Sequence, residues 1–274
     1  MNPARAATRV SARRRSSTLP VETAVRRALL GLCLATVVGR ASATAPTLVR
    51  GEYHFNVAGC AACHTDVDND GPPLAGGRAL KTPFGTFYSP NITPDPVHGI
   101  GDWSDDDFVR ALREGIAPDG SHYYPSFPYT SYTRMRHEDM LAIKEYLSSR
   151  DPVARPNRSH ELPWYLSFRP LLRFWKLMYF DEGEFGEVAD RPVEWNRGAY
   201  LVLALGHCAE CHSPRNRLGA IDAGMRFAGT PSGPGGEAVP NITPDVQTGI
   251  GGWAGDDVVY FLQTGATPDG DYTG

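Results

Sequence analysis

The chain is sparing with sulfur: its 274 residues hold five cysteines and five methionines. So few thiols exclude a disulfide-stapled scaffold, and so few thioethers exclude a methionine-rich binding surface. Hydrophobic runs are short as well, because the apolar stretch Ala28 to Gly39 falls below the length that spans a bilayer. Basic charge is scarce once the N-terminus is set aside. Removing the eight arginines and one glutamate of residues 1–43 takes the chain from 27 basic and 31 acidic residues to 19 and 30, a net charge of −11 in place of −4. Nucleic acid is excluded as a partner on that balance.

Four of the five cysteines are in two copies of one pattern, Cys60-Ala61-Ala62-Cys63-His64 and Cys208-Ala209-Glu210-Cys211-His212. Two thiols separated by two residues on a helical turn can each add to one vinyl group of a porphyrin, and the histidine that follows then lies under the iron. The pattern therefore points to two covalently attached haem c groups, with Cys60, Cys63, Cys208 and Cys211 as attachment residues and His64 and His212 as proximal axial ligands. Rival readings are a zinc site built from the two cysteine pairs, or thioredoxin-like redox pairs. Neither explains a histidine directly after both pairs, and the 148 residues between Cys60 and Cys208 are a wide spacing for zinc.

Covalent haem attachment takes place outside the cytoplasm, so an export signal is expected. Arg5, Arg9, Arg13 to Arg15, Arg26 and Arg27 form a basic n-region, Ala28 to Gly39 an apolar segment, and Ala41-Ser42-Ala43 a cleavage site before Thr44. Arg26-Arg27 does not complete a twin-arginine motif, and general secretion is the expected route. Cys33 follows Leu32, where a lipoprotein signal would carry a small residue, so it leaves with the signal. All the remaining cysteines are then used by the two motifs, and none is left as a catalytic nucleophile.

Outside the motifs the chain repeats at about 150 residues, which means two units and not a solenoid. Arg50-Gly51-Glu52-Tyr53 matches Arg197-Gly198-Ala199-Tyr200, Asn91 to Asp95 returns as Asn241 to Asp245, and Gly99 to Trp103 as Gly249 to Trp253. Ser104 with Asp107 makes a capping box, Phe108, Val109 and Leu112 one helical face, and Gly115 a stop. Val258, Val259 and Leu262 keep that face in the second copy. A further helix begins near His137, with Met140, Ile143 and Leu147 on one stripe and Lys144 and Glu145 turned outward. The second copy has no such segment before Gly274. Its first helix is expected to leave an apolar side bare, either because the chain is incomplete or because a partner covers the second haem.

The distal ligand of the first haem is sought among methionines, whose thioether raises the potential. Met135, in a loop just before the helix that starts at His137, is the expected ligand; Met140, His122 and His137 are the alternatives. Met178 belongs to the connection between units, and Met225 reads as core filler. His54, His98, His160 and His207 read as solvated or hydrogen-bonded side chains. Asn91-Ile92-Thr93 and its copy are turn formers that could reach a haem propionate; Trp103 and Trp253 either close a haem pocket or pack in the core. The apolar, basic-punctuated stretch Arg169 to Phe180 fits packing across the junction between units, with membrane-surface docking as the alternative.

The phrases Tyr124-Pro125-Ser126-Phe127-Pro128-Tyr129-Thr130-Ser131-Tyr132, Glu194 to Leu201, and Gly206-His207-Cys208 with Cys211-His212-Ser213-Pro214-Arg215-Asn216 resemble the multi-haem cytochrome c subunits of periplasmic dehydrogenases, the gluconate, alcohol and isoquinoline or aldehyde dehydrogenase cytochromes. The resemblance covers most of residues 44–274. Many members carry methionine where this chain has Phe127; those with phenylalanine there tend to have methionine at the place of Met135. The family also continues beyond the position of Gly274 with a methionine-bearing stretch and a helix, sometimes followed by a third haem domain. What the resemblance implies is a chain that passes electrons from a dehydrogenase catalytic subunit to quinone or a terminal oxidase and does not itself catalyse.

The expected architecture is all-α: signal peptide 1–43, a class I cytochrome c domain 44–150, a linker 151–192, and a second such domain 193–274 that lacks its C-terminal helix. The expected function is electron transfer in the periplasm, with attachment to the inner membrane left open; a di-haem redox enzyme, a peroxidase or thiosulfate-oxidising cytochrome, is the competing class.

Overall fold

The computed structural model describes residues 45–233 and 236–272. The export signal, with Cys33, lies outside them. Helix α1, Ala45–Val57, starts the fold, and Gly51, His54, Phe55 and Ala58 recur at the spacing that lines one helical face. That face lies on α5, His137–Ser148, through Met140, Ile143, Tyr146 and Leu147. Gly51 permits the close crossing: a Cβ there would sit 2.1 Å from the carbonyl oxygen of Ala142. Burying each large apolar side chain of this pair contributes about 1.5–3 kcal/mol.

Helix α2, Cys60–His64, follows α1 directly, and α3, Asp105–Glu114, packs against α5. The expected capping box is present, since Ser104 Oγ accepts from Asp107 N and Asp107 Oδ2 accepts from Ser104 N, both at 3.1 Å. Gly115 ends α3 at φ 64°. Phe108 and Leu112 are buried as expected, whereas Lys144 is not turned to solvent: its Nζ pairs with Asp105 Oδ1 at 2.6 Å and ties α5 to the start of α3.

The all-α expectation needs one correction. Between α2 and α3 the chain makes an antiparallel hairpin, β1 Ala79–Thr82 and β2 Gly85–Tyr88, paired from Ala79↔Tyr88 to Thr82↔Gly85 around Pro83-Phe84. A four-residue strand leaves too little alternation to read from sequence. Glu161 exchanges backbone hydrogen bonds with Thr86 at 2.9 and 3.0 Å and extends the hairpin edge, so the stretch expected to begin a linker at 151 is held to the first half.

After the short α4, Tyr129–Tyr132, and α5 come α6, Leu171–Tyr179, and α7, Val193–Tyr200, which runs into a π turn Leu201–Leu205. Tyr200, Ala204 and Leu205 join Phe55, Met135 and Met140 in one apolar cluster, so the two repeat halves share a core. Helices α8, Ala209–His212, and α9, Gly255–Thr264, complete the described elements. No described helix is long and apolar enough to cross a membrane.

Helix α6 divides its faces. Lys176 Nζ donates to the carbonyls of Glu114 and Gly115, Trp175 Nε1 donates to Leu218 O at 2.9 Å, and Phe180 packs edge-on against Tyr129. These contacts span both halves, as expected of junction packing. Leu171, Phe174, Leu177 and Met178 lie on the exposed side, with Trp164, Tyr165 and Phe168 exposed just before them.

Candidate functional site

The two Cys-x-x-Cys-His segments build the same local structure. His64 O accepts from Gly76 N and His212 O from Gly229 N, both at 2.8 Å; Leu74 O accepts from Ile92 N and Phe227 O from Ile242 N, both at 2.9 Å. Leu74 and Phe227 share the left-handed backbone, φ 61° and 67°. Each return loop thereby passes beneath its histidine and leads to a proline whose carbonyl the imidazole reaches. His64 Nδ1 donates to Pro90 O at 2.7 Å, and His212 Nδ1 donates to Pro240 O at 2.8 Å. A carbonyl only accepts, so Nδ1 carries a proton in both rings and Nε2 is the nitrogen left to ligate, the arrangement that orients a metal-ligating histidine.

Glycine is required for that approach. Gly76 and Gly229 have φ of 67° and 77°, and a Cβ would come within 2.4 Å of Pro90 C and 2.7 Å of Asn241 N. Neither glycine nor either proline stood out in the sequence; the signal was there, since Pro90 and Pro240 immediately precede the repeated Asn-Ile-Thr.

In the first half, enclosure pushes the Cys60 thiol up to about 12 and holds His64 below the usual imidazole range, so both are neutral at pH 7. Met135 is fully buried, in the cluster against which Cys60, Ile92 and Trp103 pack. Met140 is equally buried, on the α1–α5 interface as the stripe predicts. Of the other methionines, Met225 departs from expectation: it is 51% exposed, because the 3₁₀ turn Ala223–Met225 sits on the surface and not under a covering helix. Asn91 is buried with its amide donating to Val153 O and Arg155 O and its oxygen accepting from Thr93, so no donor is left for a propionate.

Of the histidines outside the motifs, His160 and His207 make ring hydrogen bonds, whereas the buried Nδ1 atoms of His54 and His122 have no hydrogen-bond partner, for His54 against the expectation of a solvated or hydrogen-bonded side chain. His160 Nδ1 accepts from Tyr88 N at 3.1 Å. His54 is buried 3.2 Å from Asp139 Oδ1 and burial holds its pKa down. His207, with φ 39°, directly precedes Cys208 and is 3.3 Å from Ala58 O, two residues before Cys60.

That contact brings the two Cys-x-x-Cys-His segments together. Tyr132 donates to the same Ala58 oxygen at 2.8 Å and packs edge-on against His207, ring centroids 5.4 Å apart. Glu210, inside the second motif, accepts from Thr130 and Ser131 of the first half at 2.8 and 2.9 Å and pairs with Arg215 at 2.6 Å. Sequence reading passed over Glu210; a carboxylate inside the motif where the first copy has Ala62 was the available signal.

Among the described residues no three or more His, Cys, Asp or Glu side chains converge as a metal site would require, so the cysteine pairs do not assemble a zinc cage. Two thiols beside an imidazole with a free Nε2 fit haem c, which needs one axial ligand from each side. A match to the cytochrome c family spans residues 48–151. A diheme cytochrome c-type protein of Cereibacter sphaeroides is 44% identical over 228 residues, 82% of this chain and 75% of that one. The chain belongs to the cytochrome c family. Within the family its relatives include cytochrome subunits of dehydrogenases, as the sequence resemblance implied. The fructose dehydrogenase cytochrome subunit of Gluconobacter japonicus is 43% identical over 83% of this chain, and the gluconate 2-dehydrogenase cytochrome c subunit of Pantoea cypripedii 40% over 79%. The chain spans 46% and 50% of those two proteins.

Proposed function

We propose that this cytochrome carries two covalent haem c groups in tandem class I cytochrome c domains and passes electrons from a dehydrogenase catalytic subunit to quinone or a terminal oxidase. The observation that carries this reading is the duplicated histidine: each motif's imidazole is held through Nδ1 by a proline carbonyl with Nε2 free. Attached haem would supply a one-electron carrier at each site. Cys60 and Cys63 would hold the first and Cys208 and Cys211 the second, with His64 and His212 as proximal ligands and Met135 as the distal ligand of the first.

The surrounding residues fit a conductor. Tyr132, His207 and Glu210 keep the two attachment segments in contact, which fixes their separation. The export signal in the sequence supports a periplasmic location, and the exposed apolar side of α6, with Arg169 and Arg173 beside it, supports attachment to a partner or the inner-membrane surface.

The test uses protein matured with both haems. Reduction by a cognate dehydrogenase and substrate, followed by oxidation by a quinone analogue or an oxidase, is the expected outcome. Turnover of peroxide without any dehydrogenase would instead make the chain an enzyme and overturn this reading.

A further inference from the structure

The loop that carries Met135 has three carbonyls and a hydroxyl that must find partners, and they find them on two other segments. Arg113, at the end of α3, forks onto it: Nη1 donates to Thr133 O at 2.8 Å and Nη2 to Met135 O at 2.9 Å. The same Nη2 lies 3.1 Å from Glu184 Oε2, in the chain between α6 and α7. That connecting segment runs alongside the loop. Gly183 N donates to Thr133 Oγ1 at 3.1 Å and Phe185 N to Arg134 O at 2.9 Å. Arg134 pairs with Asp181, and Arg136 Nη2 with Glu187 Oε1 at 2.7 Å. Three arginines thus meet three carboxylates spaced every third residue. Phe185 adds an apolar anchor, packing against the shared core and 5.8 Å from the Tyr200 ring.

We infer that Arg113 and the acidic segment Asp181–Glu187 are positioning residues for the first haem: they clasp the Met135 loop and hold its thioether available as the distal ligand. The inference rests on Met135 being that ligand. A thioether is a neutral ligand and its loop can open locally while the domain stays folded, so the free energy that keeps the loop closed sets how much iron is methionine-ligated. Hydrogen bonds from a guanidinium to carbonyls are charge-assisted and strong for their kind. The carboxylates contribute less, because their side chains are largely in water and salt screens them.

The readout is the methionine-to-ferric-iron charge-transfer band of the oxidised holoprotein, followed through an alkaline titration, with the first haem's reduction potential alongside. Arg113→Ala is expected to raise the equilibrium constant for loss of the band about tenfold or more. Glu184→Gln is expected to raise it a few-fold, by an amount that shrinks at high salt, and Arg113→Lys to recover only part of the loss because an ammonium cannot fork. Arg110→Gln, on the same helix but paired with Asp107, is the control and leaves the band unchanged. If Arg113→Ala fails to mature, Glu184→Gln and the triple variant D181N/E184Q/E187Q carry the test. A band that persists in Met135→Ala would overturn the ligand assignment; a band lost in Met135→Ala but as stable in the Arg113 and linker variants as in the parent would overturn the clasp alone.

Discussion

Leu112 and Leu262 occupy matching places on matching helices, α3 and α9, yet Leu112 is 9% exposed and Leu262 77%. The glycines of the repeated Arg-Gly-x-Tyr differ in the same way: Gly51 faces the Ala142 carbonyl, while Gly198 has open space where a Cβ would go. Between these positions the halves agree closely, down to the histidine–proline bond and the left-handed residues of the return loop. The histidine–proline arrangement is therefore a local device, specified within some 30 residues of each motif. Covering the haem face is a tertiary property that depends on α5, which the first half has and the described part of the second does not.

Equivalent substitutions in the two halves should separate these layers. Leu112→Ala should cost about 2–4 kcal/mol in urea unfolding, whereas Leu262→Ala should stay within about 0.5 kcal/mol. Similar losses at both positions would mean that α9 is covered in solution as α3 is. Gly51→Ala should destabilise by about 1–3 kcal/mol, since the methyl must push α1 off α5. At Gly198 the same change should be neutral or stabilise by up to about 1 kcal/mol through helix propensity; calorimetry of the pair reads both signs.

The smallest contrast concerns capping. Ser104 completes a reciprocal box, but Ala254 offers no side-chain acceptor and only Asp257 returns a bond, to Ala254 N at 2.8 Å. Ser104→Ala should lose about 1 kcal/mol and Ala254→Ser gain a similar amount or less, as judged by thermal unfolding. No gain at Ala254 would show that α9 is frayed for reasons other than its cap.

Much of this was legible in the chain itself because it was local. The capping box, the Gly115 stop, the α5 stripe and the repeat each rest on residues a few positions apart, where periodicity and turn chemistry decide. The position of Met135, in a loop just before α5, follows from the same logic. What escaped notice depends on distant partners. Arg113 is, by sequence, a basic residue in the last turn of α3, and its bonds form only when residues 133–135 and 184 arrive beside it. Glu210 carries no local sign of its burial, which comes from Thr130 and Ser131 of the other half. Met225 was assigned to a core that the second half does not close over it. Lys144 read as exposed because helical spacing alone could not reveal Asp105 across the α3–α5 contact.

Whether both motifs hold haem, alike at the histidine and unlike above it, is read from the mass of the matured chain and of its paired-cysteine variants. The expected result is a gain of two haems for the parent and of one haem for each of C60A/C63A and C208A/C211A, with the methionine charge-transfer band absent only from C60A/C63A. A parent carrying one haem or none, or a band that vanishes with C208A/C211A and survives in C60A/C63A, would contradict it.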